Sequence, residues 1–214
     1  MKKNLVNIIC VLRYNDKSPY DESWVEKLYN GINRNTSIPF DFYCLTDMHP
    51  TVGERIQLHS YGQSWWSKIQ LFRQGLFRGH RFYFDLDTVI CGNLDEIFEK
   101  CMTQQYFLMT KGRTGNPSSA FMYWNKDYGE VYEKYIKKRK QIEEKYKKLA
   151  HKVGDQGYIQ DSIKHKLIQN ILPNGSIDYF GNPKLDREKI RMLMFANKKN
   201  KPHICIDPLI KEHW

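Results

Sequence analysis

Residues 81–90 have the sequence RFYFDLDTVI, in which three consecutive aromatic residues are followed by two aspartates separated by one leucine. Aromatic and β-branched residues favour strands, so the run predicts a buried strand that ends in acid. Side chains two residues apart in a strand point to the same side, so Asp85 and Asp87 are expected to lie together. Two carboxylates that converge in this way can hold a hard divalent cation such as Mn²⁺ or Mg²⁺.

The surroundings of this Asp-Leu-Asp motif make it informative. A chain of this size contains such a tripeptide by chance about half the time, so the motif alone is weak. Here it follows a strongly apolar strand and precedes residues 91–98 (CGNLDEIF), which predict a turn and a new helix. Ligands of open α/β sheets gather beyond the carboxyl ends of the strands, which is where the pair is expected.

Short apolar runs alternate with longer amphipathic ones along the rest of the chain. Strands are predicted over residues 5–12, 39–46, 55–59, 106–110 and 119–124, and helices over residues 19–33, 65–76, 128–149 and 156–165. This alternation is typical of an α/β fold with a mostly parallel central sheet flanked by helices. No repeat or linker interrupts it, so the sequence predicts one domain over residues 1–214.

Composition excludes several classes of protein. The chain has 214 residues, of which 41% are hydrophobic and 27% are charged, as in an ordinary globular domain. Its apolar runs fall far short of the roughly 20 residues that a membrane span needs. The five cysteines are scattered and never form CxxC, so neither a zinc site nor a disulfide framework follows. We expect a protein of a reducing cytoplasm, with residues 5–12 as a buried strand and not a secretory signal.

The formal net charge of +10 suits an anionic partner. The most basic segment is residues 134–152, KYIKKRKQIEEKYKKLAHK, in which apolar residues are interleaved. It is read as a surface helix with solvated lysines, or as a face that contacts a membrane surface peripherally or docks a polyanion. No recognition motif points to nucleic acid, so nucleic acid is not expected as a partner.

Seven segments resemble GT-A glycosyltransferases, in particular the glycogenin-like and capsular-polysaccharide types. The run YFDLDTVICGNLDEIF is similar to their metal-binding strand. The other six segments occur in the same order along the chain as in the family, three before this strand and three after it: residues 7–35, FDFYCLTD, WWSKIQLFR, NPSSAFMYWN, GDQGYI and KPHICIDPLIKEHW. A narrower resemblance is to the amino-terminal GT-A domain of chlorella-virus glycosyltransferases that build capsid glycans, which would place the protein in the host cytoplasm. The resemblance implies a Rossmann-like GT-A domain, with a nucleotide-binding half over about 1–100 and a sugar- and acceptor-binding half over about 101–214.

The resemblance also implies a role for individual residues. Asp85 and Asp87 would hold Mn²⁺ or Mg²⁺, and Asp85 would also contact the donor. The other donor and nucleotide contacts implied are Arg13, Tyr14, Thr46, Asp47, Lys68 and Lys198, with Lys199 and Lys201 also suited to a pyrophosphate. Asp155 would bind sugar hydroxyls or act as the catalytic carboxylate, and Ser118, Ser119 and Gln156 would line the sugar or acceptor site. From the residues alone, Asp155 is equally suited to cap a helix.

The sequence departs from the family pattern at three places. A histidine that usually supplies the third metal ligand is missing. Either Asn197, His203 or water replaces it, or metal binding stays weak until the diphosphate supplies oxygen ligands. The usual Asn-Ser-Gly triplet has become Ser118-Ser119-Ala120, which alters an expected sugar contact. The chain also stops about where the GT-A fold ends, so acceptor-binding segments are expected in a further part of a longer chain or in another chain.

The predicted activity is metal-dependent transfer of a hexose or deoxyhexose from a nucleotide sugar, with UDP favoured, to a glycan or glycoprotein acceptor (EC 2.4 class). In an inverting route Asp155 would deprotonate the acceptor hydroxyl, whereas a retaining route needs no such base. Both routes stay open. The alternative is a GT-A-like module that binds a nucleotide sugar or carbohydrate without turnover, a reading motivated by the missing histidine.

Overall fold

The computed structural model describes residues 6–61, 64–147, 149, 152–196 and 201–214. The strands in chain order are β1 Val6–Leu12, β2 Asp41–Thr46, β3 Glu54–Gln57, β4 His80–Phe84, β5 Val89–Ile90, β6 Phe107–Lys111, β7 Pro117–Trp124, β8 His165–Leu167, β9 Ile177–Tyr179 and β10 Met192–Met194. The α-helices are α1 Glu22–Arg34, α2 Asp95–Met102, α3 Gly129–Lys147, α4 Gly154–Ser162 and α5 Pro208–His213. Short 3₁₀ helices cover Ser64–Phe72, Ile168–Asn170 and Pro202–Ile204.

Seven strands form the central sheet, in the order β3-β2-β1-β4-β7-β6-β8. The strands β3, β2, β1 and β4 are parallel to one another, β7 is antiparallel to β4 and β6, and β8 is parallel to β6. The predicted α/β class with a mostly parallel sheet flanked by helices is confirmed. A second sheet, β5-β10-β9, was not predicted from the sequence.

Alternate residues of β1 build the two halves of the core. Ile8, Cys10 and Leu12 pack with α1 and α2 on one face of the sheet, while Ile9 packs with the Ser64–Phe72 helix, α3 and α4 on the other. A strand buried on both faces has no polar side, which explains the nearly continuous apolar sequence of β1. The sheet thus supports helices on both faces and leaves the carboxyl ends of its parallel strands at one edge.

The predicted strand over residues 81–90 is wrong in its extent. Strand β4 ends at Phe84, and the Thr88 amide donates to the Asp85 carbonyl at 3.1 Å, which closes a turn over the acidic tripeptide. The chain then enters β5, which pairs with β10 in the second sheet. Strand propensity alone did not reveal this turn, because the strand after it, β5, pairs with β10, which lies far along the chain.

Strand β7 carries a bulge beside this turn. Met109 of β6 pairs with Met122, whereas the next residue of β6, Thr110, pairs with Ser118. One step along β6 therefore corresponds to four steps along β7. This leaves Ser119 and Ala120 as the irregular segment, because Phe121 still pairs with Phe84 of β4. The Ala120 carbonyl within it accepts from the Asp85 amide at 2.8 Å. Bulges of this kind commonly re-aim side chains next to functional sites.

Two helices differ from the prediction, one in its helix type and the other in its bounds. The helix predicted over residues 65–76 is a 3₁₀ helix, and its buried residues Trp66, Ile69 and Phe72 recur every three residues, as three residues per turn require. The helix predicted over residues 156–165 begins earlier, at Gly154, and ends at Ser162. The chain is already extended at Ile163, and His165 begins β8.

Residues 134–147 of the basic segment lie in α3, which ends at Lys147 and contains a kink at Lys138 (φ −124°, ψ 23°). Its buried side chains face the core, and its exposed face carries most of the lysines. No helix in the described part of the chain is long and apolar enough to cross a membrane.

Candidate active site

A cavity of about 620 Å³ opens at the carboxyl ends of the parallel strands and contains both aspartates of the acidic motif. Asp85 follows β4 directly, and Asp87 comes two residues later in the turn. The Asp85 side chain is 30% exposed, whereas Asp87 is almost completely buried. Both aspartates thus line one cavity, and a turn, not strand alternation, places them there.

Lys68 lies between two carboxylates that reach the cavity from different elements. Its Nζ is 2.9 Å from Asp85 Oδ1 and 3.4 Å from Asp155 Oδ2. It also donates to the Ser119 hydroxyl at 3.1 Å, and that hydroxyl donates to Asp155 Oδ2 at 2.9 Å. The 3₁₀ helix, the turn after β4, the bulge of β7 and the first turn of α4 thus meet around one ammonium group.

A second lysine neutralises the other aspartate of the motif. Lys201 Nζ forms an ion pair with Asp87 Oδ2, and the Tyr20 hydroxyl donates to the same oxygen at 3.2 Å. Lys201 also lies over the Tyr20 ring, 5.4 Å from its centroid. Asp87 is therefore stabilised from two sides, by the loop before α1 and by the C-terminal segment.

The electrostatics of the cavity follow from burial and from these pairs. Burial lowers the pKa of Lys68, but Asp155 and Asp85 outweigh it, so the pKa is raised and the ammonium stays charged. Burial raises the pKa of Asp155, and Lys68 opposes this shift. Burial likewise raises the pKa of Asp87 against the effect of Lys201, and the nearby charge of Asp85 adds to the rise. Because burial makes the ionised carboxylates costly, a further cation beside Asp85 and Asp87 is electrostatically favoured.

The residues predicted around the sugar also reach the cavity. Ser119 bonds to Asp155, and its amide donates to Gln156 Oε1 at 3.3 Å. The Ser118 hydroxyl accepts from the Tyr179 hydroxyl at 2.9 Å. Asp155 lies in the first turn of α4, whose N-cap position belongs to Val153, so the capping interpretation of Asp155 is wrong. Its negative charge is favoured there by the helix dipole.

Of the four residues predicted near the nucleobase, only Arg13 lines the cavity. Arg13 lines the cavity, but its guanidinium donates to Ser67 Oγ at 2.6 Å, to Asp47 Oδ2 at 3.3 Å and to the His59 carbonyl at 2.6 Å. Asp47 also accepts from the Tyr14 amide, and Tyr14 is 66% exposed. Neither Tyr14 nor Asp47 is among the described residues that line the cavity.

Thr46 requires a correction. It is fully buried, and its hydroxyl accepts from the Met48 amide at 2.9 Å. A side chain without exposed surface cannot contact a ligand, so Thr46 stabilises the turn after β2 and does not bind the donor. Hydroxyl side chains commonly close turns of this kind, which the sequence pattern did not distinguish from ligand binding.

Of the two residues expected as a third metal ligand, only His203 lies among the described residues, and it is not brought to the acidic pair. Asn197 and the donor-binding candidate Lys198 lie outside the described residues. His203 packs edge-on against Trp24 with ring centroids 5.0 Å apart, and it does not line the cavity. Within the described ranges, no three His, Cys, Asp or Glu residues are gathered as a metal site would require.

Three tyrosines of the site were missed by the sequence analysis. Tyr83 donates to Asp85 Oδ1 at 2.6 Å, and strand alternation two residues before Asp85 could have indicated it. Tyr20 and Tyr179 contact the site from elements that are distant in sequence, so no local signal pointed to them.

Comparison with known proteins reveals similarity in structure alone. No protein-family model matches the sequence, and a search of curated proteins finds no match. The glycosyltransferase GlyE of Streptococcus pneumoniae TIGR4 is 14% identical with a TM-score of 0.65, over 96% of this chain and 59% of GlyE. The bifunctional glycosyltransferase WbbM is 14% identical with a TM-score of 0.57, over 93% of this chain and 47% of WbbM.

The galactosyltransferase LgtC, solved in complex with donor and acceptor sugar analogues, is 9% identical with a TM-score of 0.63, over 96% of this chain and 93% of LgtC. This chain therefore spans about three fifths of GlyE and about half of WbbM, but nearly all of LgtC. These similarities establish the GT-A fold that the sequence predicted, and at such low identities they establish the fold alone.

Replacing Lys68 tests the buried ion cluster. Lys68→Met should lower the free energy of unfolding by about 3 kcal/mol, because it leaves two carboxylates beside each other without their shared cation. Urea denaturation at pH 7 measures the change. Lys126→Met, at an exposed lysine, serves as the control and should stay within about 0.5 kcal/mol of the wild type.

The double variant Lys68→Met/Asp155→Asn should lose clearly less stability than the sum of the two single variants, because each charge is costly only when the other is absent. Additive losses would contradict the pairing of Lys68 with Asp155.

Proposed function

We propose that this chain is a glycosyltransferase that moves a hexose or deoxyhexose from a nucleotide sugar, with UDP favoured, to a glycan or glycoprotein acceptor. The observation that carries the proposal is the meeting of Asp85, Asp87 and Asp155 in one cavity at the strand ends of a GT-A fold. The fold alone would not justify it, since one fold serves many functions. The site supplies the chemical argument.

The acidic pair fits a divalent cation. Asp85 and Asp87 offer hard oxygen ligands to one cavity, and Mg²⁺ and Mn²⁺ are commonly held by one or two carboxylates, with substrate phosphates and water completing the shell. The absence of a third protein ligand among the described residues is consistent with such a site. When bound, the cation would stabilise the negative charge of the departing diphosphate.

We assign lysine side chains of the site to the same task, the stabilisation of negative charge on the diphosphate. Lys201 lines the cavity beside Asp87, where its ammonium group would be within reach of a bound diphosphate. The role of Lys198 at the diphosphate stays a prediction. Lys68 contacts both Asp85 and Asp155, and we assign it to the donor phosphate or sugar and to the orientation of the two carboxylates.

Asp155 is assigned to the transferred sugar or to catalysis. Both of its contacts with Lys68 and Ser119 use Oδ2, which leaves Oδ1 to accept from a sugar hydroxyl or from the attacking acceptor. A carboxylate whose pKa is raised by burial is better suited to accept a proton than an exposed one. This arrangement serves an inverting route in which Asp155 is the base, whereas a retaining route would use Asp155 only to position the sugar.

The nucleoside is assigned to the ends of β1 and β2. The guanidinium of Arg13 fixes Asp47 and the loop at His59, so we propose that Arg13 shapes this part of the site and that Asp47 and the exposed Tyr14 contact the base or ribose. The binding of UDP in particular follows from the family resemblance.

Several broader expectations stay predictions. They are the single domain with its two halves, a longer parent chain, the viral origin, the cytoplasmic location, the peripheral membrane contact of α3 and the absence of nucleic-acid binding. The alternative function, a GT-A-like module that binds a nucleotide sugar or carbohydrate without turnover, is motivated by the missing family histidine. Donor hydrolysis decides between the two functions, as described below.

The assigned metal role predicts that UDP raises the melting temperature only when Mn²⁺ or Mg²⁺ is present, because the cation links the diphosphate to Asp85 and Asp87. Asp87→Asn should abolish this rise, whereas Glu99→Gln, at an exposed glutamate, should preserve it. Differential scanning fluorimetry measures both effects. Binding of UDP without a metal would contradict the role of the pair.

Donor turnover separates the enzyme from the module. The wild type should hydrolyse one member of a panel of UDP-, GDP- and dTDP-sugars in a metal-dependent manner, and Asp155→Asn should slow hydrolysis by about 100-fold or more while UDP binding persists. Release of the free nucleotide is the measurement. Binding of a nucleotide sugar with no release over a long incubation would favour the module.

The pair between Lys201 and Asp87 makes a prediction that does not depend on activity. Lys201→Met should strengthen binding of Mn²⁺ alone by about fivefold or more at pH 8, since a cation no longer competes with an ammonium group for the same oxygen. It should also weaken UDP binding in the presence of Mn²⁺. Titration calorimetry measures both affinities, and Lys211→Met, at an exposed lysine of α5, is the matched control. Unchanged or weaker Mn²⁺ binding would contradict the competition.

A further inference from the structure

Trp65 is the largest side chain that both lines the cavity and stays exposed. Seven large hydrophobic side chains are exposed among the described residues, and of these only Trp65, at 55%, and Val153, at 46%, line the cavity. The assigned roles of the cation, the diphosphate and the sugar hydroxyls leave the indole without a function. An exposed indole at the wall of a polar cavity is a surface on which a ligand can bury apolar area.

The 3₁₀ helix determines the direction of this side chain. In a 3₁₀ helix, side chains three residues apart lie on the same side, so Trp65 is aligned with Lys68, which contacts Asp85 and Asp155. The helix begins at Ser64, whose φ of 55° lies in the left-handed region that side chains other than glycine rarely adopt. Backbone strain of this kind persists where the surrounding structure imposes it.

Gly154 holds the indole against the start of α4. Its φ is +67°, and a Cβ at this position would lie 2.6 Å from Trp65 Nε1. The indole therefore rests directly on the backbone of the residue that precedes Asp155 and Gln156. The exposed ring is attached both to the helix of Lys68 and to the helix of Asp155, on the side of the cavity that we assign to the sugars.

We propose that Trp65 is a stacking platform for the terminal pyranose of the acceptor. The apolar C–H face of a pyranose is complementary to the electron-rich face of an indole, and the polar groups of the cavity can then address its hydroxyls. This inference rests on the proposed function and deepens it, because it identifies the acceptor as a glycan whose terminal sugar presents an apolar face. An acceptor whose terminal group presents only charged or polar surface would not match the indole face.

Indole resonances test the platform directly. In ¹⁵N-labelled protein, the Trp65 indole signal is assigned by its loss in Trp65→Phe, and the protein is titrated with methyl glycosides of glucose, galactose, mannose, N-acetylglucosamine, fucose and rhamnose. At least one glycoside should shift the Trp65 signal while the signal of the buried Trp24 stays in place. UDP with Mn²⁺ is the comparison ligand.

The kinetic arm uses the responding glycoside as the acceptor. Trp65→Ala should raise the KM for that glycoside by about tenfold, as expected for the loss of one stacking contact, whereas the KM for the donor should change by no more than about twofold. Tyr106→Ala, at an aromatic residue that is 44% exposed and does not line the cavity, should change neither value.

The outcomes that would overturn the inference differ from those that would overturn the proposed function. If no glycoside shifts the Trp65 signal, or if UDP alone shifts it, the platform does not serve the acceptor. If transfer occurs and its KM is unchanged in Trp65→Ala, the inference fails while the glycosyltransferase proposal stands. If the wild type hydrolyses no donor, the proposed function fails, and the indole titration still decides whether Trp65 binds a pyranose.

Discussion

The ion cluster around Lys68 is the constraint on which the cavity depends. Its three members are Lys68, Asp85 and Asp155, and both Lys68 and Asp155 are almost completely buried. The ammonium group of Lys68 offsets the free-energy cost of placing the charged carboxylates in this environment. The cluster joins the 3₁₀ helix, the turn after β4 and the first turn of α4, three elements that are far apart in sequence. The same contacts that satisfy buried charge therefore also fix the relative positions of the groups that we assign to the donor.

The sheet brings these charges to one place by a simple rule of topology. Strands β1, β2 and β4 are parallel, so their carboxyl ends lie at one edge, and Arg13, Asp47 and Asp85 follow them directly. Aromatic packing stabilises the strand that carries the acidic motif, because Phe82 packs against Phe98 and Tyr123 with centroids 4.5 and 4.9 Å apart. The apolar packing on both faces of the sheet thus holds in place a site whose partly buried charged groups are themselves unfavourable for folding.

The sequence allowed the prediction of those features that local patterns determine. The apolar run of β1, the aromatic strand before Asp85 and the periodicity of α1 are recognisable in isolation. No local pattern encodes the turn at residues 85–88 or the 3₁₀ form of residues 64–72. The same is true of the contacts that Tyr20, Tyr179 and Lys201 make with the site, because each joins residues that are more than 60 positions apart. Thr46 shows the opposite error, since a polar residue at a strand end was read as a ligand contact when it closes a turn.

The bulge of β7 has a consequence for how such a site can diversify. Phe121–Trp124 remain paired with β4 on one side of the irregular segment, and Pro117 and Ser118 remain paired with β6 on the other. The residues between them, Ser119 and Ala120, line the cavity but do not pair with β6. A substitution at this wall therefore changes contacts of the cavity, such as the bond from Ser119 to Asp155, without changing the strand pairing of the sheet.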